Sequence, residues 1–290
     1  MKGIVFLGQH KLEIQEFKDP TPGPDEVILE IKASGMCGSD LKVYRAVDGP
    51  SSLGLGGEDK QVIAGHEPCG TIVELGKNVN KNNFKKDMNV MQHHYKGCGT
   101  CVHCSTGWQQ LCVDGVKEVF GVTGHGAHAK YMKCPADTLV KLREDISFKS
   151  GAAISCGTGT AWGAIDRLCL RSHEILAVFG LGPVGLSAVM IASSMGVNVI
   201  ALDTNQKRLN RAKSFGAGNI LNPLKSDNVV DAIKDLTKGL GAHASIDASS
   251  SPEARSQSIK CLRTWGKACF VGEGGDVNID VSNDLLRRQI

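Results

Sequence analysis

Four cysteines fall within fifteen positions, Cys98-x2-Cys101-x2-Cys104-x7-Cys112, on a loop that also carries Gly97, Gly99 and Gly107. Thiolates are soft ligands, and four of them on one flexible loop can close a tetrahedral site around a zinc ion. A site closed by four protein ligands has no open position, so its work is to brace a loop with little core of its own. His103 lies inside the cluster and could compete as a ligand, but cysteines flank it at ligand spacing.

A second set of ligand-type residues is scattered. Cys37-Gly38-Ser39-Asp40, Gly65-His66-Glu67 and Cys156 lie far apart in the chain. Two cysteines and one histidine would leave a fourth position on a zinc ion for water or substrate, the arrangement of a catalytic site. Taken singly, His66 reads as a hydrogen-bonded core histidine, and Cys37 and Cys156 as small buried thiols. Spacing alone does not show that the three converge.

A third signal is Gly180-Leu181-Gly182-Pro183-Val184-Gly185, a G-x-G-x-x-G pattern between an apolar run and a helical one. The first glycine allows a tight turn, the second lets backbone approach a pyrophosphate, and the third lets helix and strand pack closely. The helix N-terminus adds N–H donors and partial positive charge. Asp203 follows 23 residues after Gly180, at the tip of the next strand, where a carboxylate would hold ribose hydroxyls. A carboxylate there repels a 2′-phosphate, which favours NAD over NADP; Lys207 and Arg208, close by in sequence, act the other way.

The elements that must carry these residues change character near residue 150. Before it come short β-like runs at Gly3–Leu7, Leu12–Phe17, Glu26–Ala33, Thr71–Leu75, Met88–Gln92 and Ala129–Lys133, punctuated by the turn Pro20-Thr21-Pro22-Gly23-Pro24. After it, strands and helices alternate: Glu174–Phe179, Pro183–Met195, Val197–Leu202, Asn205–Phe215 with Leu209 and Ala212 inward, Asn219–Leu221, Val229–Thr237, Ala244–Asp247, Pro252–Leu262 and Lys267–Val271. That alternation predicts a parallel, doubly wound α/β sheet. The sequence therefore divides into a mostly-β domain over residues 1–155 and a nucleotide-binding domain over 156–290.

Composition bounds the partners. A formal net charge of +3 made of interspersed Lys, Arg, Asp and Glu gives no case for nucleic acid or an anionic membrane surface. No apolar run is long enough to span a bilayer, and Met1–Leu7 is not a signal peptide, so a cytoplasmic location is the default. Eleven cysteines, an odd number, argue against a disulfide framework. Of these, Cys69, Cys134, Cys169, Cys261 and Cys269 sit among apolar neighbours and read as buried thiols.

Taken together, the four-cysteine loop, Cys37-Gly38-Ser39-Asp40, Gly65-His66-Glu67, Cys156-Gly157-Thr158-Gly159-Thr160 and the Gly180–Gly185 turn resemble the zinc-containing medium-chain dehydrogenase/reductase family along the whole chain. The resemblance implies a GroES-like catalytic domain, a Rossmann coenzyme domain, two zinc ions per chain (one catalytic, one structural), NAD and a homo-oligomer for the full-length enzyme. It assigns Cys37, His66 and Cys156 to the catalytic zinc and Glu67 to the acid that can enter its shell. Asp40 matches the carboxylate that orients the histidine ligand, and Ser39 the hydroxyl that receives the substrate proton. Thr160 matches a residue of the nicotinamide pocket, and His94 one of the substrate pocket. Lys42 stands where many members carry the histidine that ends the proton relay, and a lysine near pKa ~10.4 is a poor shuttle at neutral pH. Cys156 is the third ligand, as in alcohol dehydrogenases, whereas sorbitol-type members commonly carry Glu there.

The implied reaction is hydride transfer between the carbinol of an alcohol or polyol and NAD, giving an aldehyde or ketone. The rival readings are a zinc-free reductase of the same superfamily, a non-catalytic zinc- and dinucleotide-binding paralogue or fragment, and a zinc-ribbon nucleic-acid module. The ligand residues argue against the first, and the missing basic stripe argues against the last. Five strands are predicted for the coenzyme sheet, with Asn283–Gln289 approaching a sixth, so the expectation is a fragment of a longer enzyme whose fifth strand has an uncovered edge.

Overall fold

Alternating apolar and polar residues with turn residues between them give antiparallel strands in the N-terminal part, and longer apolar runs give parallel strands in the C-terminal part. A computed structural model describes residues 1–47, 49 and 61–290. It divides after Cys156 into two units, Met1–Cys156 and Gly157–Ile290.

In the first unit, β1 (Lys2–Gly8) and β2 (Lys11–Glu16) form a hairpin, with Gln9 and His10 both at positive φ, the backbone that a two-residue hairpin turn needs. The strands β3 (Glu26–Gly35), β4 (Glu67–Leu75), β5 (Asn89–Gln92), β8 (Tyr131–Pro135) and β9 (Leu139–Lys141) make an antiparallel sheet ordered β8-β3-β4-β5-β9. Its inward residues Val27, Leu29, Ile72, Val90, Met132 and Cys134 form the core. Two short strands, β6 (Tyr95–Lys96) and β7 (Glu118–Val119), clasp the cysteine loop at its base. Two helices, α1 (Gly38–Arg45) and α2 (Phe148–Ala153), complete the unit.

β4 begins at Glu67, four residues before the Thr71 start suggested by sequence, and this extension matters most for the chemistry. In the register of β3 with β4, Gly35 pairs with Glu67. The chain leaving β3 at Gly35 therefore reaches Cys37 beside the residue that precedes Glu67, namely His66.

The second unit holds α3 (Gly159–Leu168), β10 (Ile175–Phe179), α4 (Pro183–Ser194), β11 (Asn198–Leu202), α5 (Gln206–Ser214), β12 (Asn219–Leu221), α6 (Val229–Leu236), β13 (Ala242–Asp247), α7 (Pro252–Lys260) and β14 (Leu262–Phe270). The five strands are parallel, in the order β12-β11-β10-β13-β14. Leu176 and Val178 of β10 pack with α3, α4 and α5, through Ile165, Ala188, Leu209 and Ala212. Ala177 and Phe179, on the other face, pack with Val229 and Ile233 of α6. Burial on both faces explains why these strands read as unbroken apolar runs.

Four expectations need correction. Cys169 is exposed: it caps α3 in a left-handed conformation, φ 51°, so its apolar neighbours Leu168 and Leu170 are neighbours in sequence only. Cys269 is half-buried rather than buried. The segment predicted as helix to Leu262 ends at Lys260, and β14 begins at Leu262, earlier than the Lys267 expected. The stretch Asn283–Gln289 belongs to two short turns, Val281–Leu285 and Leu286–Arg288, rather than one regular helix. Among the described residues, no helix is long and apolar enough to cross a membrane.

Candidate metal centres and coenzyme turn

The scattered residues converge. One ligand atom from each of Cys37, His66, Glu67 and Cys156 lies within 4.8 Å of the other three. Asp40, buried in the first turn of α1, sets the geometry: one carboxylate oxygen accepts the Cys37 backbone N–H at 2.8 Å and the other meets His66 Nδ1 at 3.0 Å. With Nδ1 committed to Asp40, the ring turns Nε2 towards the sulfurs, and Ser39 Oγ stands 3.3 Å from Nε2. Cys37 and Cys156 sulfurs are 3.9 Å apart. Gly35 makes room for the set, because a Cβ there would overlap the Glu67 carboxylate.

Electrostatics in this cluster are those of a donor set. The hydrogen bond from Cys156 pulls the Cys37 thiol down to about 3, against its own burial. Cys156 moves up, from that same bond and from burial. Burial opposes the charge on His66, yet hydrogen bonds to Asp40 and Cys37 raise it to about 10. Burial lifts Glu67 to about 7. His94, 4.9 Å from the His66 ring between centroids, is pushed down to about 3 by burial, and its Nδ1 is a buried atom without a hydrogen-bond partner among the described residues. Lys42 lies in the last turn of α1.

In the loop clasped by β6 and β7, Cys98, Cys101, Cys104 and Cys112 likewise bring their sulfurs within 4.8 Å of one another. Backbone N–H groups point at the sulfurs: Cys98 N at Cys112 Sγ (3.3 Å), Cys101 N at Cys98 Sγ (3.3 Å) and Cys104 N at Cys101 Sγ (3.5 Å). Such bonds favour the thiolate, and the N–H of Cys104 is the main cause that holds Cys101 at about 6. A Cβ at Gly97 would overlap Cys104 Sγ, so the glycine lets the sulfurs gather. His103 stays outside this set. The four soft, clustered donors fit a zinc ion, and so do the two sulfurs, the imidazole and the carboxylate of the other set.

In the second unit the glycine turn links β10 to α4. Gly180 has φ +86°, and a Cβ at Gly185 would overlap the Gly180 carbonyl oxygen, so both positions exclude a side chain. A Cβ at Gly182 would meet nothing within 4 Å among the described residues. That open flank, with the N–H groups of Val184 and Gly185 in the helix's first turn just behind Pro183, fits an approaching pyrophosphate. Asp203 is 6% exposed at the end of β11; its oxygens accept the N–H groups of Leu181 (2.7 Å) and Asn205 (2.8 Å). Arg208 Nη1 lies 3.5 Å from the same carboxylate. Thr160 is exposed on α3.

Comparison with known proteins agrees with this layout. Residues 23–144 match the model of the alcohol dehydrogenase GroES-like domain, and residues 183–290 that of the zinc-binding dehydrogenase. The uncharacterized zinc-type alcohol dehydrogenase-like protein YphC of Escherichia coli is 34% identical over 100% of this chain and 82% of its own length. The chain belongs to the zinc-containing medium-chain dehydrogenase/reductase family. It is also similar to a sorbitol dehydrogenase of Bacillus subtilis, 30% identical over 94% of this chain and 76% of that one. Among solved structures, the acetophenone reductase of Geotrichum candidum in complex with NAD superimposes with a TM-score of 0.84 at 27% identity, covering 99% of this chain and 80% of that one. The family's fold is accordingly α/β, a GroES-like domain with a Rossmann domain.

Sequence reading missed the supporting residues. Gly35 and Gly97 are needed only because other side chains come close, which no local pattern announces. Ser34, whose hydroxyl is 2.7 Å from His128 Nδ1, was equally silent.

Proposed function

We propose that this protein is an oxidoreductase acting on CH–OH groups, passing a hydride between the carbinol of an alcohol or polyol and NAD to give an aldehyde or ketone. The observation that carries this reading is the Cys37, His66, Glu67 and Cys156 set, with Asp40 fixing His66 and Ser39 beside it. A zinc ion held by Cys37, His66 and Cys156 would act as a Lewis acid that makes the alkoxide of a bound alcohol accessible near neutral pH. NAD, held by the second unit, would supply the hydride acceptor.

The chain's own residues do the remaining work. Asp40 keeps the His66 ring from rotating and commits Nε2 to ligation. Ser39 Oγ takes the proton from the alcohol oxygen and passes it outward to water; Lys42, on the same helix, stands where the relay would end but as an ammonium group has no site to accept that proton. Glu67 is a fourth donor-type group beside them, its carboxyl lifted to about 7 by burial. His94 lines the substrate side of His66 as a neutral ring. The cysteine loop takes a second, structural zinc ion. Gly180, Gly182, Pro183, Val184 and Gly185 receive the pyrophosphate, Asp203 the adenosine ribose, and Thr160 the nicotinamide end.

NAD is preferred over NADP because the Asp203 carboxylate repels a 2′-phosphate. Arg208 already faces that carboxylate, with Nη1 3.5 Å away. A family relative named sorbitol dehydrogenase and another crystallised with NAD support a polyol or alcohol substrate and this coenzyme. The test is a rate survey of metal-replete protein with alcohols, polyols and hydroxy amino acids, each with NAD and NADP. Chelator-sensitive reduction of NAD is expected. A protein with full zinc content and no turnover on any of them would be a non-catalytic paralogue.

A further inference from the structure

The second unit contains a buried ion pair outside the glycine turn and both donor sets. Asp247 ends β13 and is fully buried; Arg255, on α7, is 7% exposed, and its Nε donates to Asp247 at 3.2 Å. Such a pair is a poor device for stability alone, since desolvation of both charges offsets most of their attraction. What distinguishes this one is where the remaining bonds go. Asp247 also accepts the backbone N–H and hydroxyl of Ser249 (3.1 and 2.6 Å) and the N–H of Ser250 (3.3 Å). Arg255 spends its other nitrogens on the carbonyl oxygens of Gly272 and Gly275, the latter at 2.5 Å, and its guanidinium lies over the Phe270 ring.

Two segments are joined in this way, 248–251 after β13 and 271–275 after β14. They touch backbone to backbone: a Cβ at Gly272 would come within 2.6 Å of Ser250 N, and one at Gly275 within 2.6 Å of Ser250 O. Ser250 itself is held at φ +63°, a conformation a serine adopts only under constraint. The first segment in turn lies against the glycine turn, because a Cβ at Gly180 would meet Ser249 at 2.8 Å. A continuous wall of backbone thus runs along the carboxyl ends of β10, β13 and β14. In the order β12-β11-β10-β13-β14 the winding reverses between β10 and β13, and ligands of open parallel sheets lie in the crevice outside the carboxyl ends at such a reversal.

We propose that Arg255, together with Asp247, is a positioning residue for the coenzyme: the pair clamps the segments 248–251 and 271–275 into the wall that receives the half of the dinucleotide beyond the pyrophosphate. This rests on the reading of the second unit as an NAD site. The guanidinium does not touch the ligand; it fixes three attachment points at once, which an ammonium group on a flexible stem cannot reproduce.

The test combines a conservative variant with hydrogen exchange. R255K keeps the charge beside Asp247 but loses at least one carbonyl bond, so NADH affinity should fall about tenfold, the equivalent of one charge-assisted hydrogen bond. Zinc content and unfolding temperature report whether the variant is otherwise intact. In the wild-type holoenzyme, NADH should slow amide exchange in 180–185, 248–251 and 271–275 alike; in R255K the protection should persist in 180–185 and weaken in the other two. Unchanged NADH affinity in folded R255K would overturn the proposal. So would wild-type protection confined to 180–185, a result that stands whether or not the variant folds. No protection anywhere would remove the NAD reading itself, and this inference with it.

Discussion

Replacing Gly182 by Ala should separate the stability of the coenzyme unit from its ability to bind. Gly182 is the N-cap of α4 with φ −70° and ψ −169°, a backbone that alanine adopts without strain, and a Cβ there meets no atom within 4 Å. Restricting the unfolded chain stabilises by about 0.4–1 kcal/mol. Alanine is a poorer N-cap than glycine, which costs roughly 0.5–1 kcal/mol. The two effects nearly cancel, so the free protein should unfold within about 1 kcal/mol of wild type. Binding should respond differently. The added methyl occupies the flank on which a pyrophosphate must approach the N–H groups of α4. Losing one or two charge-assisted hydrogen bonds, at roughly 1.5–3 kcal/mol each, corresponds to about a hundredfold in Kd. NADH at a hundred times the wild-type Kd stabilises the native protein by about 2.7 kcal/mol, and a hundredfold weaker site leaves about 0.4 kcal/mol. The assay is unfolding with and without NADH, beside a fluorescence titration. Gly185→Ala is the contrasting variant: its Cβ would overlap the Gly180 carbonyl, so stability should fall before any ligand is added. Wild-type NADH affinity in Gly182→Ala would refute the placement of the pyrophosphate. So would equal instability of the two variants without ligand.

The two sulfur-rich centres should respond differently to the same chemical change. Cys104→Ser is expected to lower unfolding temperature and zinc content together, because a structural zinc ion contributes folding free energy directly; Cys156→Ser should abolish turnover with a smaller effect on unfolding. Elemental analysis finding fewer than two zinc ions per wild-type chain would contradict both. Asp203→Gly should raise KM for NAD and relax discrimination against NADP, with Arg208 then free to meet a 2′-phosphate; a wild-type protein that used NADP at least as well as NAD would show that Arg208 outweighs the carboxylate.

What the sequence disclosed depended on how local each feature is. The cysteine loop was legible because its four ligands lie within fifteen residues. The glycine turn was legible because strand, turn and helix are consecutive, and the βα alternation because sheet burial on both faces leaves continuous apolar runs. The convergence of Cys37, His66 and Cys156 was not derivable from spacing. The meeting of Cys37 and His66 depends on one register, Gly35 opposite Glu67, which only the paired strands reveal, and Cys156 arrives separately on the segment after α2. α1 was silent for another reason. It has eight residues, of which only Asp40 and Val43 are buried, too few to make an apolar stripe. The clamp of Asp247 and Arg255 is non-local in the same sense, since the carbonyl partners of Arg255 lie 17 and 20 positions further on.

Asp40 shows how so short an element can hold chemistry in place. An eight-residue helix is marginal by itself in water. Its first turn needs acceptors for orphan N–H groups, and a carboxylate at its third position supplies one by turning back to Cys37 N. That satisfies one oxygen. The other is then aimed out of the helix, where His66 Nδ1 meets it. One side chain thus fixes where the helix begins, where Cys37 stands and which nitrogen His66 presents. The same bonds that close the helix therefore assemble the donor set, and neither is complete without the other. Sheet register brings His66 to the mouth of β4, but the carboxylate decides its orientation, so the precision of the site resides in Asp40 rather than in the strands that deliver its ligands.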